Sequence, residues 1–333
     1  MTERYEILIP AYMSENSIST AVSSAVNQSI PPTAIRVYVD GSPDGDQTTD
    51  RAMVAGATEV IAGNANLGVG AARQALLERS VEAWILFLDS DDVLAPHAAE
   101  TCFDAVSRHP YAVVVAFGWT QLGQPAPDVQ RSKEPPRTRK HSQRNIWRRN
   151  PITSSAALID RRTMLQAGGY DSQARCLIDY EAWLRISSLG VGPIIVGAMP
   201  IVQRNTGAGT ITANVGLAME REVRLVVEHA PSWTPKSLVR VRVAEAWLRG
   251  LSRHLDYGGK ASKFPSACGL PLRDRANGSR TAAGADHGAG YVVRLIPYRG
   301  WLVKGVGGGA LVRPGPPRVK GAARPCGTGC AGP

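Results

Sequence analysis

The stretch Trp84-Ile85-Leu86-Phe87-Leu88-Asp89-Ser90-Asp91-Asp92 constrains this chain more than any other, because five apolar residues run straight into three carboxylates within four positions. A continuous apolar run of this length reads as a strand buried on both faces, the kind found in parallel sheets. The carboxyl end of such a strand opens on the crevice where open α/β folds bind ligands. Carboxylates crowded there repel one another unless a cation lies between them, and oxygen-only ligands suit a hard divalent ion, Mg²⁺ or Mn²⁺, shared with substrate phosphates. An acidic strand-to-loop cap without a ligand fits the same residues, since Asp favours turns. The rest of the chain decides between the two.

Strand and helix patterns alternate around this stretch. Tyr5–Ile9 is a first strand, followed by Pro10-Ala11-Tyr12. Ile18, Ala21, Val22, Ala25 and Val26 then lie on one helical face, with Ser14 or Asn16 as the N-cap and Pro31-Pro32 as the stop. Ile35–Val39 is a second strand closed by Asp40-Gly41-Ser42-Pro43-Asp44-Gly45, and Thr58–Ala62 is a third, leading to a helix through about Arg79. The Trp84 stretch is the fourth strand, and Pro96 starts the next helix. This alternation predicts an α/β fold, a doubly wound, mostly parallel sheet with helices on both faces.

Beyond a fifth strand, Tyr111–Phe117, lies a long polar segment from Gly123 to Asn150. It carries Arg131, Lys133, Arg137, Arg139, Lys140, Arg144, Arg148 and Arg149 against Asp128 and Glu134, which fits either a solvated loop or an anion-facing lid. Ile152–Asp160 resumes apolar structure. Helices are expected over Arg161–Ala167 and Asp179–Leu189, with short strands at Ile194–Gly197 and Ile201–Arg204. Pro235–Tyr257 reads as a basic helix whose Leu238, Val241, Leu248, Leu251 and Leu255 pack on the domain or face an anionic membrane. Four segments result: 1–110 and 111–232 as two halves of one domain, the helix 233–257, and a Gly/Pro/Arg-rich tail 258–333 expected to be disordered.

The net charge of +10 comes from that tail, where twelve Lys and Arg face Asp274 and Asp286; residues 1–257 carry equal numbers of basic and acidic side chains. No folded basic face for nucleic acid is therefore expected. Five cysteines are too scattered for a disulfide framework; Cys102 and Cys176 sit in apolar contexts, and Cys326 and Cys330 lack partners for zinc. The first strand begins without a basic, apolar leader, and no apolar run reaches membrane-spanning length. A cytoplasmic location follows as an expectation, with peripheral contact at the inner face of the cell membrane through the basic helix. Gly68-Val69-Gly70 lacks the third glycine of a dinucleotide loop and follows the third strand, and no P-loop or Gly-x-Ser-x-Gly elbow is present.

Taken together, Ile7-Leu8-Ile9-Pro10-Ala11-Tyr12, Val39-Asp40-Gly41-Ser42-Pro43-Asp44-Gly45, Asn66-Leu67-Gly68-Val69-Gly70-Ala71-Ala72-Arg73, Phe87-Leu88-Asp89-Ser90-Asp91-Asp92 and Gly168-Gly169-Tyr170-Asp171 with Asp179 following carry a resemblance. In order and spacing the chain resembles a family 2 glycosyltransferase of the GT-A fold over about residues 5–205. The resemblance implies inverting transfer of a sugar, usually from a UDP-sugar, to an acceptor hydroxyl in surface polysaccharide or glycolipid synthesis.

By the same resemblance Asp40 reads the base or ribose beside Pro10, Ala11, Tyr12 and Ser90, and Arg73 approaches the nucleotide or pyrophosphate. Asp91 holds the metal, Asp89 is shared between metal and ribose, and Asp179 is the general base. Asp92 is left as a cap for the loop leading to Pro96. The partners implied are a nucleotide-sugar donor and a saccharide or lipid-linked acceptor. Two positions depart from the family's acidic pairs: Val39 precedes Asp40, and Ile178 precedes Asp179. An apolar neighbour at Ile178 is expected to raise the pKa of Asp179 by desolvation. The competing reading is a nucleotide-sugar-binding protein with little turnover, because the region after Gly258 looks unlike an acceptor module.

Overall fold

The computed structural model describes residues 3–124, 135–206 and 215–256. All fall within one compact unit, Met1–Pro265; the second unit, Ser266–Pro333, and with it most of the basic tail and Cys326 and Cys330, lies outside the described residues. Arg131 and Lys133 of the basic segment also lie outside them.

The first half follows the alternation of the sequence. Strands β1 (Tyr5–Ala11), β2 (Ala34–Val39), β3 (Glu59–Ala62) and β4 (Trp84–Phe87) pair in parallel in the order β3-β2-β1-β4. Helices α1 (Ile18–Val26), α2 (Gly45–Val54) and α3 (Val69–Arg79) make the crossovers. On β1 the period of two is plain: Tyr5, Ile7, Ile9 and Ala11 join a core with α1, whereas Leu8 joins the opposite core with Leu76 and Leu77 of α3. The sheet is thus covered on both faces. Buried Glu6 shares the side of Leu8 and is paired, accepting from Arg36 Nε at 2.8 Å and from Val81 N at 2.8 Å.

The second half is mixed. After the short β5 (Val93–Leu94) and α4 (Ala98–Arg108) come β6 (Val114–Gln121), β7 (Thr138–His141), α5 (Gln143–Arg148) and a 3-10 turn at Ser154–Ala156. Strand β8 (Ala157–Asp160) enters antiparallel between β4 and β6; α6 (Arg161–Gln166), α7 (Ile178–Leu189) and β9 (Ile194–Arg204) follow. Strand β9 runs parallel to β6 and antiparallel to β5 and β7. Helices α8 (Val215–Glu228) and α9 (Lys236–Asp256) complete the described chain.

Several boundaries differ from the sequence reading. Helix α1 begins at Ile18 after Ser17 and ends at Val26, before Pro31-Pro32; Ser14 is not its cap but offers its carbonyl to Ser17 N and Ile18 N. Helix α4 starts two residues after Pro96. The segment Gly123–Asn150 is not a single loop: His141-Ser142 leads into α5, whose capping box joins Ser142 and Asn145 and whose Ile146 and Trp147 are fully buried. The two short strands expected near Ile194 and Ile201 are one strand. Helices α2 and α8 were not anticipated; α8 carries its own apolar stripe of Ala218, Met219, Val223 and Val226.

Helix α9 packs on the domain through Ala246 and Leu251, while Val241 and Leu255 stay exposed. Its buried Arg242 donates to Glu222 Oε1 at 3.1 Å and to the Trp147 carbonyl at 3.3 Å, tying α9 to α8 and α5. No helix among the described residues is long and apolar enough to cross a membrane. Cys102 and Cys176 are buried free thiols.

Candidate active site

Because β1, β2 and β4 are parallel, Pro10-Ala11-Tyr12, Asp40 and Asp89-Ser90-Asp91-Asp92 emerge at one edge of the sheet. Each has a defined local contact. Tyr12 is half exposed. Ser14 Oγ accepts from Tyr12 N at 3.1 Å and lies 2.7 Å from Ser90 Oγ, so two serine hydroxyls join the first loop to the acidic one. Asp40 is buried, and its two oxygens accept from the backbone N–H groups of Leu67 at 3.0 Å and Gly68 at 2.7 Å. Beside it Gly41 takes φ +56°, and a Cβ there would stand 2.2 Å from the Ala65 carbonyl carbon. The loops after β2 and β3 therefore touch backbone to backbone, an approach that glycine alone allows.

Arg73, on the second turn of α3, is buried with its guanidinium 5.9 Å from the Phe87 ring centre and 5.8 Å from that of Tyr170. Its Nη2 donates to Asp89 Oδ1 at 2.5 Å. The immediate contact of Arg73 is thus the first carboxylate of the acidic stretch, and its reach toward a nucleotide runs through Asp89. Tyr170 is set by the preceding turn, where Gly169 has φ +67° and the Tyr170 N–H donates to Gln74 Oε1 at 2.8 Å.

The three carboxylates separate by environment. Asp89 keeps 28% of its side chain exposed, and its N–H donates to Ser155 Oγ at 3.1 Å. Asp91 has its pKa raised by burial and then by the charge of Asp89. Asp92 is buried and pushed up to about 7 by burial and the Asp89 charge. It is not a loop cap. Its Oδ2 accepts from Ser155 Oγ at 2.6 Å and its Oδ1 from Asn205 N at 3.0 Å, with Arg204 Nε 3.6 Å away. Asp92 therefore cross-links the end of β4 to the start of β8 and the end of β9.

Asp179 stands in the first turn of α7, after Leu177, which holds the left-handed conformation at φ +52°. A non-glycine residue there costs about 1–3 kcal/mol, and such strain gathers at functional sites. Asp179 Oδ1 accepts from Tyr180 N at 2.8 Å. Burial raises the pKa of Asp179, and the nearby Arg73 charge opposes that rise. The desolvation expected from the apolar surroundings of Asp179 is present, with Ile178 buried beside it.

Four residues of this region escaped the sequence reading. Ser155 and Arg204 hold the acidic stretch. Arg221 of α8 donates to Asp171 Oδ2 at 2.9 Å and to Glu181 Oε2 at 2.7 Å, fixing the Gly168-Gly169-Tyr170-Asp171 turn to α7. Trp119 stacks beneath Arg204, its ring centre 5.4 Å from the guanidinium carbon. The signal available for Arg204 was its place at the end of an apolar strand; Ser155 and Arg221 carried none.

Among the described residues no group of three or more His, Cys, Asp or Glu side chains is arranged to hold a metal ion. Asp89 and Asp91 alone fit a hard divalent ion that takes its remaining ligands from phosphate and water. They are oxygen donors, the charge of Asp89 makes ionised Asp91 costlier, and the Asp89–Arg73 bond uses Oδ1 and leaves Oδ2.

Comparison with known proteins agrees with this geometry. The model of the family described as glycosyl transferase family 2 matches residues 6–168. The amylovoran biosynthesis glycosyltransferase AmsE of Erwinia amylovora is 27% identical over 149 residues, which is 45% of this chain and 54% of AmsE. A chondroitin synthase of Escherichia coli is 25% identical over 190 residues, 55% of this chain and 26% of the synthase. The chain therefore spans about half or less of the length of these curated relatives. Among solved structures, TarS 1–349 of S. aureus in complex with UDP-GlcNAc matches with a TM-score of 0.57 at 16% identity, over 76% of this chain and 73% of that one. The mannosyltransferase PcManGT of Pyrobaculum calidifontis, in complex with GDP-Man and Mn²⁺, matches with a TM-score of 0.52 at 14% identity, over 78% and 77%. The architecture is that of GT-A glycosyltransferases, and residues 6–168, just under half of the chain and including Asp40, Arg73 and the acidic stretch, are the part that matches glycosyl transferase family 2.

Proposed function

We propose that the chain is an inverting glycosyltransferase that moves a sugar from a UDP-sugar to an acceptor hydroxyl during synthesis of a surface polysaccharide or glycolipid. One observation carries the reading: Asp89 and Asp91 meet at the sheet edge with Arg73 bound to Asp89, and the partly buried Asp179 lies within the field of both Arg73 and Asp89.

In this reading the uridine lies against Pro10-Ala11-Tyr12, Asp40 and Ser90. Asp40 also keeps the Asn66-Leu67-Gly68 turn in place through its two backbone hydrogen bonds. Asp91 and Asp89 are the residues that would hold Mg²⁺ or Mn²⁺, and such an ion would supply positive charge against the departing nucleoside diphosphate. Arg73 fixes the Asp89 carboxylate and adds positive charge beneath it. Asp179 takes the proton from the acceptor hydroxyl as that oxygen attacks the anomeric carbon. Its raised pKa moves its basicity toward working pH, and desolvation keeps it from being spent on water. The acceptor is a saccharide, free or lipid-linked, and the chain works on the cytoplasmic side of the membrane; co-sedimentation with anionic vesicles tests contact through the basic side of α9.

The decisive measurement combines UDP binding with turnover. UDP is expected to raise the melting temperature with Mn²⁺ present and to lose that effect in EDTA. UDP release from a panel of UDP-sugars is expected to rise when saccharide acceptors are added. Metal-dependent UDP binding without release across the panel leaves an inert donor-binding protein, and absence of both overturns the reading.

A further inference from the structure

Strands β6 and β9 lose their regular pairing just before they reach the site. Ala116 pairs with Val196, but the next partners are Gly118 with Pro200 and then Trp119 with Val202. Three residues of β9, Gly197, Ala198 and Met199, thus bulge opposite Phe117. Gly118 makes the bulge close, since a Cβ there would stand 2.5 Å from the Ala198 carbonyl oxygen. Bulges of this kind re-aim side chains beside active sites. Beyond it, Trp119 leaves the core and is 45% exposed, although Phe117 two residues earlier is 2% exposed.

The exposed indole is not isolated. Arg204 lies over its ring at 5.4 Å and is 3.6 Å from Asp92 Oδ2. The charge of Arg204 is felt by Asp91, Asp92 and Asp179. Trp119 therefore stands one guanidinium away from the acidic stretch and the base, at the rim of the crevice. What sets Trp119 apart from other exposed apolar side chains is its place beside the charged groups of the site, where a flat indole face is open to a ligand. The Arg204 stack serves one part of the ring and leaves the remainder open. A flat apolar indole beside hydrogen-bonding charge matches a pyranose, which has an apolar C–H face and a rim of hydroxyls.

We propose that Trp119, backed by Arg204, is the platform on which the acceptor saccharide stacks, so that its hydroxyl is presented toward Asp179. The inference rests on the transfer reading above and adds the acceptor subsite to it. Donor binding does not involve Trp119. Removal of the indole acts on acceptor affinity and leaves the nucleotide half of the site intact.

The test titrates methyl pyranosides (glucose, galactose, mannose, N-acetylglucosamine and glucuronic acid) into the full chain loaded with UDP and Mn²⁺, following tryptophan fluorescence. At least one is expected to saturate the wild type. Trp119→Ala is expected to weaken that binding about tenfold or more and Trp119→Phe by less, with the UDP-dependent melting shift unchanged in both. In transfer assays the same change appears in KM for the acceptor, and UDP release to water stays at the wild-type rate. Equal titration of wild type and Trp119→Ala, or no titration of the wild type by any pyranoside despite a UDP shift, overturns the proposal. Loss of the UDP shift in the wild type removes the donor reading, and the subsite with it.

Discussion

The Arg73 guanidinium donates to Asp89 Oδ1 at 2.5 Å while its carbon stands 5.9 Å from the ring centre of Phe87 and 5.8 Å from that of Tyr170. Those two rings meet edge to face, with centroids 5.1 Å apart. A residue of α3, one of β4 and one of the turn after α6 thereby fix the orientation of the first carboxylate in the acidic stretch. The charge is buried and paired at once, which is the condition for a buried ion to be tolerated.

Replacing Arg73 with Met keeps much of the side-chain bulk and removes the charge. The change is expected to cost about 3 kcal/mol, the lower end for a broken buried pair, because Asp89 retains some access to water. Urea unfolding measures that loss, and the UDP–Mn²⁺ melting shift is expected to fall with it. Arg73→Lys is not expected to restore either, since a compact ammonium lacks the planar fork that reaches Asp89 while facing both rings.

Asp179→Asn separates catalysis from folding. Transfer is expected to drop about 10²–10⁴-fold, the range for loss of a general base, with UDP binding retained. Burial raises the pKa of Asp179, so its ionised form opposes folding, and stability from this group increases as pH falls through the raised pKa. The neutral Asn variant is therefore expected to melt at or above the wild-type temperature at pH 7.5. In the wild type, the acid limb of the transfer rate is expected above the ordinary carboxylate value of about 4. A limb at or below 4 would count against Asp179 as the base.

Asp92 and Ser155 give a second pH signature. In the folded chain Asp92 is pushed up to about 7, against about 4 for a free Asp. Between those values the folded chain holds a proton that the unfolded chain has released. The contribution of Asp92 to stability in EDTA is therefore expected to rise as pH falls from about 7 to about 4, and it is read as the difference in stability between wild type and Asp92→Asn across that range. Ser155→Ala removes the donor to Asp92 Oδ2 and the acceptor of Asp89 N–H. Its expected cost is about 2 kcal/mol, read by urea unfolding.

Gly41→Ala tests the contact between the loops after β2 and β3. The new methyl meets the Ala65 backbone at 2.2 Å, and φ +56° is unfavourable for any side chain. Strain and overpacking together are expected to cost about 3 kcal/mol. Because Asp40 binds the same turn, UDP affinity is expected to fall more than stability alone explains. A variant with wild-type melting and wild-type UDP affinity would show that this close approach is dispensable.

Much of the first half of the domain was legible in the residues. Parallel strands covered on both faces read as apolar runs, so β1, β2 and β4 announced themselves, and each parallel strand sends its end to the same edge. That is why Tyr12, Asp40 and Asp89 could be placed together with no coordinates. Helix α5 was hidden because its six residues are too few for a period to show among the charges of Gly123–Asn150. Helix α2, which buries only Thr48 and Ala52 and leaves Met53 and Val54 exposed, was masked by the turn chemistry of Asp40–Gly45.

The sequence alone determined the alternation of strand and helix, the apolar faces, and the carboxylates at strand ends, because each is written in local period and residue type. The tertiary structure decided which partners each of those carboxylates meets. Asp92 lies next to Asp91 in the chain, yet β8 arrives antiparallel between β4 and β6 and brings Ser155 to it, and β9 brings Asn205 N–H and Arg204. Strand order is set by which faces can be buried together over the whole sheet, and no local pattern encodes it. The same order carried Trp119 and Arg204 from the end of a core strand to the rim of the site.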